Sequence, residues 1–212
     1  MSIITYEERL NADSRWALSE GSKFFEEKGA VQDSLRKIAK RLLDLNIPYA
    51  VAGGMALFHH GFRRFTEDVD ILVTRESLDR IHQALDGLGY VPPFQGSKNL
   101  RDADTGVKIE FIVSGNYPGD GKPKPIAFPE PNDEVTLEAD GVRYVNLPTL
   151  MNLKIASGMT NPGRLQDLGD VQNLIKRLPL ARDYLSQLHP FVQDKYVELW
   201  DGVQQGSPSV EE

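Results

Sequence analysis

From Val31 onward the chain alternates apolar and polar positions with readable periods. Leu35, Ile38, Ala39, Leu42 and Leu43 recur at helical spacing and predict an amphipathic helix over 31–45, broken by Asn46-Ile47-Pro48. Residues 49–52 read as a short buried strand. Gly53-Gly54 follows, and a helix over 55–60 opens directly from the glycines and ends at Gly61. An apolar strand over 69–73 begins between two aspartates. Thr74 caps a helix whose inner face carries Leu78, Ile81, Leu85 and Leu88, with Gly89 as its stop. Residues 91–106 are turn-rich, with an edge strand near Leu100. The clearest alternation of all marks a strand over 107–113.

Beyond that strand, six prolines and glycines between Gly115 and Pro125 predict a long loop over 114–133. Residues 135–138 and 142–145 form a hairpin turning at Asp140-Gly141. After Pro148 the pattern is helical: 149–158, 164–178, and further helices near 181–188 and 190–201. The first thirty residues are polar and mixed, with helical stretches at 5–10 and 15–28. They predict an extension that packs on the body or covers part of a cleft. The expected organisation is an N-terminal extension (1–30), an α/β core of the α+β kind with a small mixed sheet backed by helices (31–147), a helical C-terminal lobe (148–202), and a polar, disordered tail from Gly202 that fills 203–212.

Composition narrows the field. The 212 residues suffice for one generous domain, and with 40% apolar and 26% charged residues the make-up is that of a soluble globular protein. There is no cysteine, which excludes a disulfide scaffold and any Cys-ligated zinc or iron–sulfur site and fits a cytoplasmic protein. The N-terminal stretch lacks the basic and apolar regions of a signal peptide, and no apolar run approaches the length of a membrane helix. The net charge of -7 argues against coating nucleic acid by bulk electrostatics. A local patch built from Arg63, Arg64, Lys98, Arg101, Lys122, Lys124 and Lys154 would reverse that leaning.

Candidate chemistry gathers on two strands. In Asp68-Val69-Asp70 the strand period of two sends both carboxylates to one face and Val69, Ile71 and Val73 to the other. On 107–113, Glu110 shares a face with Lys108 and Ile112, opposite Val107, Ile109, Phe111 and Val113. If the strands are neighbours, three carboxylates converge. Such a cluster stays ionised only with a cation, and hard oxygen donors favour Mg²⁺ or Mn²⁺. Glu110 would act as base or metal ligand. Gly53-Gly54, between strand and helix, lets a backbone approach a phosphate and presents unpaired N–H groups, or is simply a tight turn. Arg63 or Arg64 would reach a phosphate or hold the loop, and Thr66 would fix the turn before the acids. Lys154, on a helix with Leu150, Leu153 and Ser157, would snorkel to solvent or serve the site. Arg164 and Asp167 fit an intrahelical pair, and Asp167 with Asp170 on one face invites a basic partner such as Lys154.

Gly53, Gly54, Ala56, Gly61, Arg64, Thr66, Asp68 and Asp70, followed by Ile-Glu-Phe around Glu110, resemble the nucleotidyltransferase superfamily, most of all its minimal, AbiEii-type members. Residues 147–156 around Lys154 are similar to the family's lysine helix, and Arg164, Asp167 and Asp170 to its Arg-x-x-Asp-x-x-Asp helix. The resemblance spans roughly 35–178. It implies a metal-dependent enzyme in which Asp68, Asp70 and Glu110 are the catalytic and metal-binding acids. Gly53, Gly54, Arg64, Thr66, Lys154, Arg164 and Asp167 would bind the nucleotide, with Asp167 orienting Lys154 or Arg164. The implied reaction moves a nucleoside monophosphate from an NTP to a hydroxyl of RNA, such as a tRNA 3′ end, or of a protein, and releases pyrophosphate. The alternatives are a non-catalytic nucleotide-binding or regulatory protein on the same scaffold, or a toxin-like partner of a small antitoxin protein. His59, His60, His82 and His189 show no zinc spacing and read as structural, with His60 close enough to the cleft to test. Among the aromatics, Phe94 and Tyr117 are the loop-borne candidates for contact with a ligand.

Overall fold

In the computed structural model, which describes residues 4–206, a seven-stranded mixed sheet separates two helical layers. In chain order the strands are β1 (Ala50–Val51), β2 (Asp68–Val73), β3 (Tyr90–Val91), β4 (Leu100–Asp102), β5 (Lys108–Val113), β6 (Thr136–Ala139) and β7 (Val142–Val145). Across the sheet they run β3-β4-β5-β2-β1-β7-β6. The central strands β2 and β5 are parallel over six residue pairs, with Asp68 beside Lys108 and Asp70 beside Glu110. Strand β1 is antiparallel to β2 and parallel to β7. The expected mixed sheet is therefore present, larger than the pattern suggested because β3 is only two residues long and leaves no periodicity to read.

One face of β2 and β5 is apolar throughout. Val69, Ile71, Val73, Ile109, Phe111 and Val113 pack against α3 (Ala30–Asp44) and α5 (Arg75–Leu85). Helix α3 forms where the apolar period demands, burying Leu35, Ile38, Ala39 and Leu42, whereas Leu43 points to solvent. Asn46 at φ 51 closes it, and the Ile47 N–H donates to the Leu42 carbonyl. Helix α5 starts on the Thr74 cap, whose hydroxyl accepts from the Ser77 N–H. It ends earlier than its apolar spacing predicts. Asp86 turns extended at ψ 127, so Leu88 leaves the helical face and is exposed.

The other face changes character along its length. Its leading ends carry Asp68, Asp70, Lys108 and Glu110, and its far ends carry Leu72 and Ile112, which pack against the C-terminal helices. Those helices are α6 (Leu147–Thr160), α7 (Leu165–Arg177) and α8 (Pro190–Gln205), with 3-10 turns at Pro162–Arg164 and Arg182–Gln187. The latter falls where a helix is expected near 181–188 and takes the 3-10 form. Helix α8 runs through the start of the expected tail, because Trp200 and Val203 still pack on the lobe; the remainder, 207–212, lies outside the described residues.

The N-terminal residues are more deeply embedded than their weak pattern suggests. Helices α1 (Tyr6–Ala12) and α2 (Ser14–Phe25) bury Tyr6 and Phe24, each 1% exposed, in the same core as the sheet. The Tyr6 N–H donates to the Gly106 carbonyl, and Arg101 pairs with Glu7 at 2.8 Å. Helix α4 (Gly53–His59) leads out of β1 toward the C-terminal layer. Among the described residues no helix is long and apolar enough to cross a membrane.

Candidate active site

A cleft of about 440 Å³ opens where the polar ends of β2 and β5 meet the C-terminal helices. Its floor is the acid cluster. Because β2 and β5 are parallel and in register, the period of two that places Asp68 and Asp70 on one face places Glu110 directly beside Asp70. One carboxylate oxygen from each of the three lies within 4.8 Å of the others. The charges are poorly compensated. Burial, followed by the charges of Asp68 and Glu110, pushes the Asp70 carboxyl up to about 7. Burial raises Asp68 too, assisted by Glu110 and opposed by a hydrogen bond from the Thr66 hydroxyl at 2.7 Å. Three hard oxygen donors in this arrangement fit a divalent cation such as Mg²⁺ or Mn²⁺, which would neutralise what the protein leaves uncompensated.

The two glycines have separate reasons to be glycine. Gly53 sits at φ +54, and a Cβ there would lie 1.7 Å from the Asp70 Oδ2. At Gly54 a Cβ would come within 2.7 Å of the Thr66 side chain. The pair thus lets the start of α4 close onto one acid and onto the residue that orients the other. Both glycines line the cleft.

Across the cleft, a second polar cluster joins the loop before β2 to α6 and α7. Lys154 is not a snorkelling surface lysine. It is 7% exposed, and its Nζ donates to Asp167 at 2.8 Å and to Asp170 at 2.7 Å. Asp170 also receives Arg64, through Nε at 3.0 Å and Nη2 at 3.3 Å. Ser157 donates to the other Asp167 oxygen at 2.7 Å. Burial alone would raise Asp167, but the charge and hydrogen bond of Lys154, the Ser157 hydrogen bond and the charge of Arg164 hold its carboxyl below the usual range. Arg64 is thus committed to a strut between the loop before β2 and helix α7. Arg164 lines the cleft from an exposed position.

The remaining wall is apolar: Ile112, Phe128, Leu150 and Leu153, with Pro118 and Gly119 from the long loop. That loop is pinned. The Gly115 N–H donates to Phe128 O and the Phe128 N–H to Asn116 O, each at 2.8 Å, while the Asn161 amide holds the Gly119 carbonyl at 3.1 Å.

All ten sequence-predicted site residues line this cleft: Gly53, Gly54, Arg64, Thr66, Asp68, Asp70, Glu110, Lys154, Arg164 and Asp167. Sequence reasoning did not single out Phe65, a wall residue backed by the Phe24 ring at 5.0 Å, nor the direct Arg64–Asp170 contact. His60 is not at the cleft; its Nε2 meets the Val145 carbonyl at 2.9 Å. Phe94 is exposed away from it, and Tyr117 lies under Lys124 instead. Of the residues considered for a basic patch, Arg63, Arg64, Arg101, Lys124 and Lys154 are each ion-paired with an acid.

No curated protein matches the chain in sequence. Among solved structures, the solution structure of the antibiotic-resistance factor ANT(2″)-Ia has the same fold. Its TM-score is 0.50 at 13% identity, over 80% of this chain and 92% of that one. A crystal structure of ANT(2″)-Ia in complex with adenylyl-2″-tobramycin gives 0.49 at 12% identity, over 82% and 96%. JHP933 from Helicobacter pylori gives 0.47 at 18% identity, over 82% and 89%. The sequence profile described as "Nucleotidyl transferase AbiEii toxin, Type IV TA system" matches residues 37–196, three quarters of the chain and all of the cleft, so the protein belongs to the AbiEii nucleotidyltransferase family.

Proposed function

We propose that the cleft binds a nucleoside triphosphate with a divalent cation and transfers its nucleoside monophosphate to an acceptor hydroxyl, releasing pyrophosphate. The observation that carries this reading is the in-register alignment of Asp70 with Glu110, which gathers three under-compensated carboxylates beside Gly53 and Gly54. Asp68, Asp70 and Glu110 would hold Mg²⁺ or Mn²⁺. The bound cation supplies charge neutralisation at the phosphates and lowers the pKa of an attacking hydroxyl.

The chain's own groups do the rest. Thr66 fixes the Asp68 carboxylate through its hydroxyl. Gly53 and Gly54 let the start of α4 close onto Asp70 and Thr66, and their backbone lines the acid side of the cleft where phosphate oxygens would approach. Lys154 and Arg164 place positive charge facing the acids, where the β- and γ-phosphates would lie. Asp167 holds the Lys154 ammonium in place. Arg64, through Asp170, sets the spacing between the two walls. The apolar wall of Ile112, Phe128, Leu150 and Leu153 excludes water from one side.

The acceptor is a hydroxyl of RNA, such as a tRNA 3′ end, or of a protein, and the biological setting is a cytoplasmic toxin restrained by a small antitoxin. The family's toxin description supports that setting. Incubating the protein with each labelled NTP and a cell extract tests the reading. Label should enter RNA or protein with wild type and not with Asp70→Asn. If no NTP gives label transfer, and no Mg²⁺–NTP binding is lost in Asp70→Asn, the reading is wrong.

A further inference from the structure

We propose that Lys108 is a positioning residue that occupies Glu110 until a divalent cation displaces it. The inference rests on the metal-binding reading of the acid cluster. Among the described residues Lys108 is the one cation in ion-pair contact with that cluster, through Glu110. The other nearby cations are engaged elsewhere or stand farther off. Arg64 and Lys154 are bound to Asp170, Lys154 also to Asp167, and Arg164 makes no ion pair among the described residues.

The placement follows from the strand. Lys108 and Glu110 are two apart on β5 and share a face, and the parallel register puts Lys108 beside Asp68. The Lys108 charge acts on Asp68 as well as on Glu110. Lys108 thus sits at the corner of a square whose other corners are the three acids. An ammonium on the Glu110 carboxylate repels a divalent cation brought to the same cluster and draws charge from the ligand, so the two compete for Glu110. Lys108 can leave cheaply. Its side chain is 29% exposed, on a flexible four-carbon stem. The exchange keeps a cation against Glu110 in both states and makes the free protein a weaker metal binder than its three acids imply. A nucleotide arriving with its own cation and its own negative charge would tip the exchange toward metal.

Mn²⁺ titration of the purified full-length protein, read by the spin-resonance signal of free Mn²⁺, tests this without reference to activity. Lys108→Met should tighten Mn²⁺ binding by roughly fivefold, the scale of a partly exposed ion pair. Lys108→Arg should leave it close to wild type, because the guanidinium restores the competitor. Lys108→Gln provides the same reading as the methionine variant should the latter fold poorly. Mn²⁺ affinity in Lys108→Met or Lys108→Gln equal to or weaker than wild type would overturn the exchange while leaving the metal site standing. Absence of Mn²⁺ binding by wild type, with no difference in Asp70→Asn, would overturn the metal reading itself and the exchange with it.

Discussion

Two polar clusters face one another across the cleft, and they balance charge differently. On the side of α6 and α7, Lys154 and Arg64 meet Asp167 and Asp170. Two cations oppose two anions, and both carboxylates are engaged, one of them also by Ser157. On the sheet side, Asp68, Asp70 and Glu110 face a single ion-paired cation among the described residues, Lys108. The balanced cluster is complete as folded, and it ties the loop before β2 to α6 and α7. The unbalanced one costs the protein stability unless a cation arrives. Within one cleft the charge count thus separates a cluster whose scaffold role the protein satisfies alone from one that calls for a cation.

That contrast can be broken experimentally, most forcefully at Asp70. Asp70→Asn should lower nucleotidyl transfer by on the order of 10³-fold, as loss of a central electrostatic element does. It should leave the metal-free protein at least as stable as wild type in urea unfolding, since it removes a repelled carboxylate. A clear loss of stability would place Asp70 in the scaffold class instead. The reverse pattern is expected at Asp170. Asp170→Ala leaves the buried Lys154 with Asp167 alone and takes away the partner of the half-buried Arg64, and should cost about 3 kcal/mol in the same unfolding measurement. Gly53→Ala tests the steric link between the glycine turn and the acid cluster. Its left-handed backbone and the collision with Asp70 should cost about 1–3 kcal/mol and weaken Mn²⁺ binding together.

The clusters should also respond to pH with opposite sign. Asp70 holds its proton up to about 7 in the folded protein, against an ordinary carboxyl value of 3.8. Its contribution to stability is therefore full below about 4 and lost as pH rises through about 7. Asp167, held below its ordinary value, contributes stability above about 4 that is lost as pH falls further. The melting temperature of metal-free protein should accordingly decline between pH 4.5 and pH 7.5, by roughly a few degrees, and saturating Mg²⁺ should flatten that decline. The smallest effect is expected for Thr66→Val, which removes one hydrogen bond to Asp68. It should cost about 1 kcal/mol and reduce Mg²⁺ affinity slightly, as seen by calorimetry.

Legibility in the sequence followed the range of the interactions. The strand over 107–113 alternates so regularly that its acid-bearing face could be read directly, and Asp68 and Asp70 could be placed on one face without knowing their neighbour. What the pattern left open was whether β2 and β5 are adjacent, a matter of long-range pairing. The same limit hid Arg64's partner. Asp170 lies 106 residues away, and nothing local to Arg64 distinguishes a strut from a phosphate ligand. Lys154 reads either as snorkelling or as the basic partner that Asp167 and Asp170 invite, and only the packing of α6 on α7 decides for the second. Leu43 and Leu88 misled in the opposite way, apolar by type and near the right period, yet exposed because a helix face is set by packing and by where the helix stops. Tyr6 and Phe24 were invisible as core residues because isolated aromatics in polar helices carry no period.

The burial of Tyr6 and Phe24 bears on how this enzyme can be cut and recombined. The recognisable family segment starts at residue 37, inside helix α3, which begins at Ala30. A protein trimmed to that boundary would lose the first two turns of α3 and the Phe24 ring that backs Phe65 at the cleft wall, and would open the cavities that Tyr6 and Phe24 fill. The smallest portable catalytic unit is therefore larger than the portion that sequence similarity delineates. A chimera joined upstream of Thr5 keeps the reactive centre's support intact, while one joined at the similarity boundary inherits the chemistry without the wall behind it.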